Sequence, residues 1–72
     1  MPIYPNPTTG IFKIDGLEEP STIKIFNAFG NEVKLIEWLQ SGEIDLTGQP
    51  RGVYFISVES EKGMCFEKVV LN

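Results

Sequence analysis

Histidine is absent from this chain of 72 residues, and cysteine and alanine occur once each. Each shortage excludes something. Without histidine the chain lacks the side chain that titrates near neutrality and most often ligates metals. A single cysteine, Cys65, rules out an internal disulfide. Ala28 is the one alanine, and helix formers at helical spacing are hard to find, so the pattern opposes a helical fold. No apolar run approaches the roughly 20 residues of a membrane-spanning helix. The start, Met1-Pro2-Ile3-Tyr4-Pro5, has neither the basic opening nor the apolar stretch of a signal peptide. An export signal, if used, is expected elsewhere on a longer parent. Basic residues are few, six against ten acidic, for a net charge of −4. Lys13, Lys24, Lys34, Arg51, Lys62 and Lys68 are scattered. Nucleic acid and anionic membranes need clustered cations, so neither is expected as a partner.

What is present is β-rich. The apolar content is 42%, enough for a folded core, and Ile, Val and Phe dominate it. Seven Gly and five Pro cut the chain into short pieces, as all-β domains require. A chain this short buries only about 60% of its unfolded surface. It has little interior to spare for a cleft or a buried charged site, so no enzyme is expected. The organising stretch is Pro50-Arg51-Gly52-Val53-Tyr54-Phe55-Ile56-Ser57-Val58-Glu59. Tyr54, Ile56 and Val58 fall on one face and Val53, Phe55, Ser57 and Glu59 on the other. The second face starts apolar and turns polar. A central strand is expected, covered on both sides at its start and half-exposed at its end.

The remaining elements follow in order. Residues 1–9 form an extended N-terminal segment, since Pro5 and Pro7 fix their own φ and push their predecessors extended. A strand is expected over 11–15, with Phe12 and Ile14 inward and Ile11 covered by the neighbouring turn. A second spans 22–28, with Ile23 and Ile25 on one face and Phe26 opposite. Gly30-Asn31 reads as a two-residue hairpin turn. The third strand covers 32–39. Val33 and Leu35 begin inward, Ile36 and Trp38 lie on the other face, and a bulge is placed near Leu35–Ile36. Glu43 to Leu46 is a short strand with Ile44 and Leu46 inward. Ser60-Glu61-Lys62-Gly63 is a tight hairpin loop with Gly63 at a positive-φ position. The last strand, 64–71, pairs with the central one. Short strands spaced by turn signals predict a single all-β domain over 1–72: a Greek-key, immunoglobulin-like β-sandwich of six or seven antiparallel strands.

Candidates for chemistry are thin. A reactive thiolate needs a nearby base or cation. Cys65, between Met64 and Phe66, therefore reads as a small core residue. Glu18-Glu19 precedes Pro20 on a loop and reads as a solvated turn rather than an acid–base pair. Asp15, Glu43, Asp45, Glu59 and Glu61 lack the alternating acidic loop of a calcium site. Neither a metal nor any other cofactor is expected. Tyr4, Trp38 and Tyr54 could stack on sugar as a carbohydrate-binding or adhesion module does; at strand spacing, aromatics are more often core.

Four motifs together carry a family resemblance. They are Tyr4-Pro5-Asn6-Pro7 with Thr8 and Gly10; Ile23-Lys24-Ile25-Phe26-Asn27 leading to Gly30; Ile44-Asp45-Leu46 followed by Pro50 and Gly52-Val53-Tyr54; and the closing Lys68-Val69-Val70-Leu71. In this order they resemble the C-terminal sorting domain of type IX secretion (type A) found on exported proteins of Bacteroidetes. The resemblance implies a non-catalytic address label. Its parent is a larger cargo protein that lies N-terminal to it and reaches the periplasm by a separate signal. The label is read by the type IX translocon at the outer membrane and is typically removed by a sortase-like peptidase. The cargo becomes secreted or surface-bound. Carried over by position, recognition falls on Lys68, Val69, Val70 and Leu71, with Gly52 and Tyr54 shaping the partner strand. The chain departs from the family in two ways: Leu71-Asn72 stands where a basic residue often closes the domain, and little linker precedes Tyr4.

Overall fold

A computed structural model describes residues 3–15, 17, 19–39 and 42–72, with the side chains of Trp38 and Leu39 left aside. Its elements are β1 (Ile3–Tyr4), β2 (Ile11–Ile14), β3 (Ser21–Phe26), β4 (Glu32–Leu39), β5 (Gly42–Asp45), β6 (Gly52–Ser60) and β7 (Gly63–Leu71). They form two antiparallel sheets, one ordered β1-β2-β5 and the other β4-β3-β6-β7. The expected all-β, two-sheet architecture is the one observed.

Strand faces follow residue alternation. Phe12 and Ile14 on β2 and Ile44 on β5 are buried, as is Leu46 just beyond it. They meet Ile23 and Ile25 of β3, Tyr54, Ile56 and Val58 of β6, and Val69 and Leu71 of β7 in one core between the sheets. Burial of this apolar surface, worth roughly 25 cal/mol per Å², is what holds the layers together. Leu17, Val33 and Ile36 pack at its margin.

Several local expectations give way. The hairpin at Gly30-Asn31 is wider than two residues. The Asn27 carboxamide oxygen accepts from the N–H groups of Phe29 (2.9 Å) and Asn31 (3.0 Å). The Asn27 N–H in turn donates to the Asn31 carbonyl. Asparagine side chains commonly organise turns this way, and here that ends β3 at Phe26. The register of β3 against β4 shifts between Ser21 and Ile23 and again between Ile25 and Phe26. The irregularities therefore flank Leu35–Ile36 instead of falling on it. In consequence Leu35 faces outward and is exposed, while Ile36 pairs with Ile23 and joins the core margin. Ile11 is exposed, not covered by a turn.

The central strand also differs on its outer face. Phe55 is 44% exposed, because among the described residues no layer covers that side of the four-stranded sheet. Cys65 is an exposed free thiol, not a core residue. The β6–β7 hairpin explains it. Burial along β7 is confined to Val69 and Leu71 at its C-terminal end, so Cys65, on the edge strand, stays exposed although its partner Val58 on β6 is in the core. The hairpin turn itself is as expected, with Ser60 opposite Gly63 and φ of Gly63 at +132°.

Candidate functional site

Segment 4–10 and the end of β7 are joined by a polar clamp. The Asn6 carboxamide nitrogen donates to the Lys68 carbonyl at 2.9 Å, and its oxygen accepts from the Val70 N–H at 3.0 Å. The side chain thus imitates a paired strand. Thr8 continues the match with its backbone. Its N–H donates to the Val70 carbonyl and its carbonyl accepts from the Asn72 N–H, both at 2.8 Å, in a parallel bridge to Leu71. The Thr8 hydroxyl is buried, donating to the Ile11 carbonyl and accepting from the Gly10 N–H. Two prolines with cis peptide bonds, Tyr4–Pro5 and Asn6–Pro7, flank Asn6. Gly10 is required on steric grounds: at φ +149°, an added Cβ would lie 2.6 Å from the Thr47 side chain.

The loop before β6 is fixed from both ends. Tyr54 is buried and its hydroxyl donates to the Pro50 carbonyl, the kind of return contact that marks corners in β-sandwiches. Asp45 accepts from the Thr47 hydroxyl and from the Thr47 N–H. Its carboxyl is held below the ordinary carboxylate range, first by the Thr47 hydroxyl, then by the Thr47 amide, with a lesser contribution from Lys34. Lys34 reaches across to donate to the Asp45 carbonyl at 2.9 Å, closing that end of β5.

Residues singled out from sequence divide sharply. Val69, Leu71 and Tyr54 are buried in the core. Gly52 is exposed at φ +147° and faces Leu71 across the β6–β7 ladder. Lys68 is exposed on the outer face beside Phe55, and Val70 is half-buried beside Val53. Tyr4 and Tyr54 cannot form a stacking platform, since Tyr54 is only 3% exposed while Tyr4 is 46% exposed on the other sheet. The side chain of Trp38 and the whole of Glu18 lie outside the described residues. Glu19 accepts from the Lys62 N–H at a surface groove of about 490 Å³ shared with Thr22 and Glu59. Among the described residues, no three of His, Cys, Asp or Glu gather to hold a metal. No helix among them is long and apolar enough to cross a membrane.

Sequence reasoning missed the outer face of the four-stranded sheet. Phe26 and Phe55 are direct cross-strand neighbours there. Phe66 (67% exposed), Met64 (51%) and Leu35 lie on the same side, with Lys24 and Lys68 among them. The available signal was Phe66 at even spacing from Lys68 and Val70, opposite to the buried Val69 and Leu71.

Such a molecule is a small β-sandwich with an exposed apolar face on its four-stranded sheet. A family model for the secretion system C-terminal sorting domain matches residues 2–72, nearly the whole chain, and the chain belongs to that family, the sorting domains of type IX secretion. No curated protein matches it in a sequence search. Membership makes the chain a sorting signal, and the protein that carries it is secreted or displayed at the cell surface.

Proposed function

We propose that residues 1–72 act as one folded label that directs a larger N-terminal cargo through the periplasm and across the outer membrane. The type IX translocon reads the label and a sortase-like peptidase then removes it. The match over residues 2–72 carries this reading. The fold supports it: the domain buries apolar residues of both sheets in one core, and among the described residues no three of His, Cys, Asp or Glu converge. Lys68, Val69, Val70 and Leu71, backed by Gly52 and Tyr54, form the recognition element in this reading. Their parts differ. Lys68 is exposed for direct contact, while Val69 and Leu71 hold the strand in the core.

The test fuses residues 1–72 to the C-terminus of a periplasmic reporter in a type IX-competent bacterium. Export of the fusion, lost on deleting residues 68–72, is expected. Because that deletion also removes two core residues, Lys68→Ala is run beside it. Full export of the deleted fusion would remove the closing strand from recognition.

A further inference from the structure

We infer that the N-terminal half of β7, residues 63–67, is a docking edge for an extended strand of a partner polypeptide. That strand is apolar on one face and acidic where it reaches Lys68. The partner's identity as part of the export machinery rests on the sorting reading above; the geometry does not.

β7 is the last strand of its sheet, and its register with β6 runs unbroken from Gly63 to Leu71. In an antiparallel ladder, backbone groups of alternate residues point to the partner strand and away from it. The clamp shows which alternate points away: the Lys68 carbonyl, both groups of Val70 and the Asn72 N–H all bond outward to Asn6 and Thr8. By the same alternation the N–H and carbonyl of Met64 and Phe66, and the N–H of Lys68, also point outward. Among the described residues none bonds to them. The edge is therefore closed by the chain itself from the Lys68 carbonyl onward and open over the stretch before.

Unpaired strand edges recruit other strands, and proteins usually blunt them with charge, proline or cover. The opposite edge, β4, is blunted by Glu32, Lys34 and Glu37. The open part of β7 reads Gly-Met-Cys-Phe-Glu, with no proline, and its one charge, Glu67, alternates to the face away from Met64 and Phe66. Only an extended backbone matches a row of alternating N–H and carbonyl groups, which settles the class of occupant. Its side chains on the outer face would lie next to Met64 and Phe66, both more than half exposed, so that face is apolar. Charge sets the rest. In a chain of net charge −4, this patch carries Lys24 beside Ser57 and Lys68 beside Phe55. Glu59 of β6 stands on this face at the hairpin end, across from Met64, while Glu67, across from Ile56, projects from the opposite face. A carboxylate on the incoming strand therefore belongs at the Lys68 end.

The probe is an acetylated, amidated hexapeptide alternating valine and threonine with one glutamate, titrated into the isotope-labelled domain. Amide shifts at Met64, Phe66 and Lys68 are expected, with Val70, already bonded to Asn6, unmoved. Replacing the glutamate by lysine weakens binding by about two- to fivefold, the range of an exposed ion pair. Phe66→Pro removes an outward N–H and spares the bonds to β6, so it abolishes binding while the Ile56 and Val69 amides keep their positions. Should that variant not fold, Phe66→Lys tests the apolar anchor with the backbone intact. Shifts elsewhere, or binding that survives these substitutions, overturn the inference. So do concentration-dependent shifts of the same amides without peptide, since the occupant is then a second copy. The reporter fusion separates the two readings: wild-type export with unimpaired Phe66→Pro export overturns the docking edge alone, whereas failure of the wild-type fusion overturns the sorting role.

Discussion

Asn6 acts as a one-residue strand. Its carboxamide offers one donor and one acceptor at the spacing of a peptide group, so it satisfies Lys68 and Val70 together. Hydrogen bonds of this kind contribute about 0.5–1.5 kcal/mol each. Asn6→Ala is expected to lower unfolding stability by about 1–2 kcal/mol in a urea titration and to speed hydrogen exchange at the Val70 amide. Slow exchange in that variant would show that Thr8 alone holds the edge. Asp45 makes a second residue-scale prediction. Its folded carboxyl titrates below the ordinary range because Thr47 donates twice to it. A depressed carboxylate favours the folded state above its unfolded pKa, and the favour is lost as pH falls through the folded value. Carbon-detected titration should place the Asp45 midpoint below those of typical aspartates, with the Thr47 amide moving in step. Asp45→Ala should flatten that acid-side response.

At the scale of elements, the β6–β7 hairpin has two characters. Its base sits over the core, where Tyr54 faces Val69 and Gly52 faces Leu71; nearer its tip only the β6 side stays buried, where Val58 faces the exposed Cys65. The Cys65 thiol should thus react stoichiometrically with a thiol reagent in the folded domain without denaturant. Protection until unfolding would mean that the hairpin tip is covered. The base should respond differently. Tyr54→Phe removes one buried hydroxyl donor and leaves the Pro50 carbonyl without that partner. A loss of about 1–3 kcal/mol is expected, read as a lower thermal midpoint.

For the molecule as a whole, core packing and the proposed recognition contact fall on one strand. Val69 is fully buried and Lys68, its neighbour, is exposed. Val69→Ala opens a cavity in a domain whose total stability is about 4–11 kcal/mol by size. It should cost about 1–3 kcal/mol and reduce export only where the fold is lost. Lys68→Ala should stay within about 0.5 kcal/mol of wild type and reduce export with the fold intact. If the two variants lose export in proportion to lost stability, the closing strand serves folding and not contact.

Strand positions and inward faces were legible in the sequence wherever alternation was strict: Phe12 and Ile14, Ile23 and Ile25, Ile44 and Leu46, Tyr54 through Val58. Period-two patterning and Gly or Pro punctuation are local properties, and they suffice to define elements. The family was legible from four short motifs for the same reason. Cys65, Leu35 and Phe55 were not legible as exposed residues, because exposure depends on what packs on each face: Leu35 and Phe55 face outward from the four-stranded sheet, and Cys65 lies on its edge strand where burial stops short. Nor could the sequence join Asn6 to Lys68 and Val70, more than sixty residues away. Pairing across that separation comes from the closure of the sandwich, which brings the first segment alongside the last strand and leaves half of its edge open.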